Sequence, residues 1–115
     1  MEFTFRPRIR IVGEDGTVVL GPGKADLLEA VARTGSIRAA AEELGMSYMR
    51  AWTLIRTMNE AFRKPLVEKV RGGSGQGGAQ LTASGKNVLA LYRRMEEKAT
   101  RAAEGLWVKL QDELP

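Results

Sequence analysis

The chain has 115 residues, a formal net charge of +4, 43% hydrophobic and 28% charged residues, the balance of one folded domain rather than of a disordered or fibrous chain. It contains no Cys and no His, which excludes disulfide frameworks, thiolate metal sites, imidazole bases and Ser-His-Asp triads. No paired carboxylate, metal-ligand set or activated nucleophile stands in their place, so neither an enzyme nor a bound cofactor is expected. No run approaches the ~18 apolar residues of a membrane span, and the opening MEFTFRPRIR lacks the apolar core of a signal peptide. A cytoplasmic protein without a membrane partner is expected.

Phe5, Pro7, Ile9 and Ile11 alternate with Arg6, Arg8 and Arg10, the period of a half-buried strand. Glu14-Asp15-Gly16 supplies a turn and Thr17-Val18-Val19-Leu20 a return, which predicts a hairpin over residues 5–20. The three arginines on one strand face are expected to be a solvated face. After Gly21-Pro22-Gly23, Leu27, Leu28, Val31 and Ala32 mark one apolar helix face, closed by Thr34-Gly35. Ser36 is placed to cap a second helix carrying Ile37, Ala40, Ala41 and Leu44, and Gly45 to stop it.

Ser47 is then placed to cap a third helix running to about Phe62, with Ala51, Leu54, Ile55, Met58 and Phe62 as its apolar stripe. At about 100° per residue, Met49, Thr53, Arg56 and Glu60 point away from that stripe, with Met46, Arg50 and Thr57 beside them. Pro65 ends the helix. Leu66 to Arg71 and Ala79 to Leu81 read as antiparallel strands around a glycine-rich tip, residues 72–78. Thr82 is placed to cap a last helix reaching about Glu113, along which Val88, Tyr92, Met95, Ala99, Ala102, Leu106 and Leu110 follow a heptad-like spacing. That seam would either cover the domain's own core or meet a partner helix. A helix of ~25 residues is nearly 40 Å long, more than so small a domain needs, so a homodimer is expected.

Two helices joined by a tight glycine turn, followed by a hairpin, are the parts of a winged helix-turn-helix. The charge supports this: residues 47–80 carry six basic groups against two acidic ones, and the remainder of the chain sums to zero. The pattern therefore predicts a mainly α fold with a small β component. Residues 1–21 form an N-terminal β-hairpin, 22–81 the winged helix-turn-helix, and 82–115 a long C-terminal dimerisation helix. The expected ligand is double-stranded DNA, with a palindromic operator to suit a dimer. The candidate DNA-binding residues are Ser36, Ser47, Tyr48, Met49, Arg50, Thr53, Arg56 and Thr57, with Lys69, Arg71, Gly73 and Gly75 on the wing. Trp52 is expected to pack at the helix edge. A winged-helix module binding an acidic protein partner through the same face is the alternative. Gly73-Ser74-Gly75-Gln76-Gly77-Gly78 formally matches G-x-G-x-x-G, but it does not lead from a strand straight into a helix, as a dinucleotide site requires.

The run Gly35-Ser36-Ile37-Arg38-Ala39-Ala40-Ala41, then Gly45-Met46-Ser47-Tyr48, Ala51-Trp52, Met58-Asn59, Pro65-Leu66-Val67, Gly72-Gly73, Gly77-Gly78 and Leu81-Thr82-x-x-Gly85 resembles the DNA-binding domain of the molybdate-dependent transcriptional regulator (ModE) family. That family is similar in its helix-turn-helix to LysR-type regulators. The resemblance covers about residues 22–95. It implies a homodimeric, winged-helix, DNA-binding regulator whose long helix carries much of the dimer contact, acting on genes of molybdenum transport or use. The family's oxyanion-binding repeats have no counterpart in the 115 residues. Molybdate sensing is therefore carried over to no residue here, and an oxyanion sensor on a separate protein is an expected partner.

Overall fold

A computed structural model describes residues 2–71 and 77–115. In chain order these form β1 (Ile11–Val12), β2 (Val18–Leu20), α1 (Pro22–Thr34), α2 (Ile37–Glu43), α3 (Tyr48–Ala61), β3 (Val67–Arg71), β4 (Gly77–Leu81) and α4 (Ala83–Gln111). The strands make two separate antiparallel pairs, β1 with β2 and β3 with β4.

Local chemistry sets the helix boundaries. Pro22 begins α1, where its fixed φ suits the first helical position and its missing N–H costs nothing. Gly35 closes that helix in the left-handed region at φ 71°, donating to Val31 O. Three hydroxyls cap the remaining helices by accepting from backbone N–H groups: Ser36 Oγ from Ala39, Ser47 Oγ from Arg50 and Thr82 Oγ1 from Gly85. Gly45, at φ 68°, supplies the turn between α2 and α3.

Leu20, Leu27, Leu28, Val31, Met58, Leu66 and Tyr92 are fully buried at the centre of the fold, with Ala40, Ala41 and Ala51 letting α2 and α3 approach closely. Ala32 is exposed, and Ala25 and Ala30 take its place inside. Asn59 ties the end of α3 to the wing: its Oδ1 accepts from the N–H groups of Leu66 and Val67, and its Nδ2 donates to Val67 O. On the other strand, Ala79 N–H donates to Gly35 O at 2.9 Å. A Cβ on Gly78 would sit 3.1 Å from that same oxygen. The wing thus leans on the turn between α1 and α2, and β4 starts two residues earlier than the sequence pattern predicts.

The N-terminal hairpin is shorter than expected. Only Ile11–Val12 pairs with Val18–Leu20, because Gly21-Pro22 passes at once into α1 and leaves no strand opposite residues 5–10. Those residues instead run as an extended arm against α4. Tyr92 OH donates to Ile9 O at 2.7 Å, and the Phe5 and Trp107 rings stack with centroids 5.8 Å apart. Burial from solvent, then the charge of Glu96, raise the Tyr92 phenol above its ordinary pKa. Tyr92→Phe is expected to cost about 1 kcal/mol in urea denaturation while leaving the helical circular-dichroism signal intact.

Arg93 joins α4 to α1. It bonds Asp26 at 2.8 Å and Glu96 at 2.9 Å and lies 3.4 Å from Glu29. Desolvation pulls its pKa down, but the hydrogen bonds to Asp26 and Glu96 and the charge of Glu29 outweigh that and raise it.

Candidate nucleic-acid interface

α2, the Leu44–Ser47 turn and α3 form the helix-turn-helix, with Met46 N–H donating to Ala41 O across the turn. Ala51, Ile55 and Met58 of α3 face the core, which turns Met49, Arg50, Thr53, Arg56 and Thr57 outward, all exposed. Met49 is 66% exposed, an apolar side chain among the polar ones of this face. Met46 packs against the core instead. Thr57 donates its hydroxyl to Leu54 O and so offers a ligand only an acceptor. Ser36 and Ser47 each accept one backbone N–H as a cap, and among the described residues nothing accepts their hydroxyl protons. Each can donate to a phosphate.

Two cations are held against rings. The Arg38 guanidinium lies 4.7 Å from the Tyr48 ring centre and that of Arg56 lies 5.3 Å from the Trp52 ring centre. Trp52 itself is partly buried against the core, as its position at the helix edge predicts. Lys69 and Arg71, two residues apart on β3, share one strand face. A groove of about 460 Å³ runs between Ser36, Arg38, Tyr48, Lys69 and Gly78, so the start of α2, the start of α3 and the wing meet around one cleft. Gly73 and Gly75 lie outside the described residues.

None of the ion pairs among the described residues draws on a cation of this face. Arg33 pairs with Glu43, Arg93 with three carboxylates and Arg101 with Glu97. Arg38, Arg50, Arg56, Lys69 and Arg71 make no ion pair among the described residues. Arg38 is the member of this set that sequence patterning missed; its only signal was a cation two residues after the cap of α2.

The seam on α4 also needs correction. Tyr92 is 1% exposed and faces its own core, with its hydroxyl taken by the arm, so it is unavailable to a second chain. Val88 packs against the same core and Ala99 is partly buried. Leu91, Met95, Ala102 and Leu106 are exposed and fall within an arc of about 60° on the helix, with Leu110, 54% exposed, at its edge. The free apolar stripe is therefore rotated from the predicted seam, gaining Leu91 and losing Val88, Tyr92 and Ala99. Heptad counting cannot decide which edge of a seam its own domain claims.

Residues 24–86 match the family described as bacterial regulatory helix-turn-helix protein, lysR family. The chain belongs to this family. Among LysR-type solved structures, that of the CbnR_DBD-DNA complex superposes with a TM-score of 0.59 at 26% identity, over 76% of this chain and 95% of that one. The described residues thus carry the LysR-type winged helix-turn-helix, extended by the arm and by α4. Among curated relatives, the chain is 39% identical over 108 residues to the molybdenum transport protein ModE of Azotobacter vinelandii, covering 94% of this chain and 40% of that protein. It is 38% identical over 85 residues to the DNA-binding transcriptional dual regulator ModE of Escherichia coli (strain K12), covering 74% and 32%. The chain therefore spans less than half the length of these relatives. No helix among the described residues is long and apolar enough to cross a membrane.

Proposed function

We propose that the chain is a sequence-specific, DNA-binding transcriptional regulator that works as a homodimer on genes of molybdenum transport or use. The observation that carries this reading is the set of exposed, unpaired cations on the outward face of α3 and the wing, within the one stretch, residues 47–80, that holds the chain's whole excess of positive charge. A B-form major groove about 12 Å wide admits one helix. With α3 in it, Arg50, Thr53 and Arg56 reach base edges or phosphates, and Met49 is the apolar contact for a thymine methyl. Ser36, Ser47 and Tyr48 meet the flanking backbone, and Lys69 and Arg71 of the wing meet the next phosphates. The stripe of Leu91, Met95, Ala102 and Leu106 then packs against its copy, placing two α3 helices on two half-sites. The molybdenum assignment rests on the names of the relatives.

Selection of bound duplexes from a random library, repeated with and without molybdate, supplies the operator sequence. On that duplex, Arg50→Ala and Arg56→Ala are each expected to lower affinity about 5- to 150-fold, the span of ~1–3 kcal/mol per base contact. Failure to enrich any sequence, or full affinity in both variants, contradicts the reading. So does a partner retained on the protein after nuclease treatment and displaced by neither DNA nor heparin.

A further inference from the structure

We propose that Arg38, stacked on Tyr48, is a preset clamp for one backbone phosphate of the duplex, and that it fixes how far α3 enters the groove without reading sequence. The inference rests on the DNA-binding reading above and assigns a distinct task to a residue that lies outside α3.

Arg38 belongs to α2, the helix that crosses the sugar-phosphate backbone when its successor enters the major groove. Its guanidinium lies 4.7 Å from the centre of the Tyr48 ring, and both side chains line the cleft shared with Lys69 of the wing. The contact is with the ring and not with a hydrogen-bond acceptor, and no hydrogen bond among the described residues uses the Arg38 guanidinium, so its N–H groups stay free. Those groups form the fork that matches two oxygens of one phosphate. No carboxylate among the described residues bonds Arg38, whereas Arg33, on the preceding helix, is already neutralised by Glu43. The cleft therefore presents two cations, with the Ser36 hydroxyl proton beside them.

The ring supplies order rather than charge. A free arginine loses rotamer freedom on binding, and a side chain already held in its bound orientation loses less. Tyr48 is in this respect a positioning residue for Arg38, and its own hydroxyl is dispensable for the task. Because Tyr48 is the first residue of α3, a phosphate gripped by Arg38 is referenced directly to the start of the recognition helix.

The test is fluorescence anisotropy of the full chain and its variants on a random-sequence duplex and on the selected operator, each across a salt series, with thermal melting to confirm folding. Arg38→Ala is expected to weaken both duplexes by the same factor, about 5- to 10-fold per bound protomer, and to reduce the salt slope by about 1 per bound protomer. In a Tyr48→Phe background Arg38→Ala is expected to cost the same factor as in the wild type, because the ring that holds the guanidinium remains. Tyr48→Ala loses affinity, and adding Arg38→Ala to it costs less than it does in the wild type. Arg33→Ala leaves binding unchanged. Wild-type binding with an unaltered slope in Arg38→Ala overturns the clamp alone, as does a loss confined to the operator, which would make Arg38 a base reader. Absence of wild-type binding to either duplex overturns the DNA-binding reading and the clamp together.

Discussion

Gly85→Ala is expected to destabilise the fold by about 3 kcal/mol or more, at the upper end of overpacking and a large share of the ~5–15 kcal/mol that holds a small domain together. A Cβ at Gly85 would lie 2.0 Å from Leu66 O and 2.9 Å from Leu66 C. Both obstacles are backbone, and neither can yield cheaply. Leu66 O accepts from Thr82 N–H at 2.9 Å, and Thr82 OH donates to Pro65 O at 2.6 Å. Leu66 N–H is held by Asn59, and its side chain is fully buried. Moving the first turn of α4 away would break both Thr82 bonds, and moving Leu66 instead would break its bond to Asn59 and unseat its side chain. Gly105→Ala provides the contrast, since that glycine lies on the same helix with nothing within 4 Å of an added Cβ. It is expected to stabilise by about 0.5–1 kcal/mol through helix propensity. Urea denaturation followed by circular dichroism checks both. Equal stabilities for the two variants would contradict the close packing of α4 on the wing.

Met95→Asp combined with Leu106→Asp is expected to convert a dimer into a folded monomer and to lower affinity for paired half-sites by about 10²- to 10⁴-fold, the contribution of linking two binding events. Affinity for a single half-site is expected to stay within about twofold, because neither residue touches the α3 face. Met95 is 45% and Leu106 69% exposed, so two carboxylates there cost the isolated chain little. In a dimer, each would face apolar side chains and its own copy, unpaired and desolvated. Light scattering gives the mass and a titration with one-site and two-site duplexes gives the affinities. An unchanged mass, or equal losses on both duplexes, would contradict the role assigned to α4. The same substitution at Tyr92, buried and bonded to the arm, is expected to unfold the domain instead.

The helix boundaries were legible because they are local: Ser36, Ser47 and Thr82 each bond a backbone N–H three residues on, and Gly35 and Gly45 each take positive φ at a helix end. The outward face of α3 was legible for a similar reason, since its stripe of Ala51, Ile55 and Met58 fixes the rotation of the whole helix. Residues 5–10 were harder. Their alternation is genuine, with Phe5, Pro7 and Ile9 partly buried and the three arginines exposed. A period of two reports an extended chain with one covered side, however, and not whether a strand or a helix covers it. Here α4 does. The stacking of Arg38 on Tyr48 and the contact of Gly85 with Leu66 depend on how helices cross and where a strand docks, which no spacing along the chain encodes.

The account stands or falls on the salt dependence of duplex binding by the wild-type chain. Cations that are unpaired in the free protein displace condensed counterions when they meet phosphates, so log affinity falls linearly with log salt. For a dimer presenting these groups twice, the expected loss between ~50 and ~200 mM salt is about 10³-fold or more. Binding insensitive to salt over that range, or no binding at the lowest salt, would contradict a DNA-reading face on α3 and the wing.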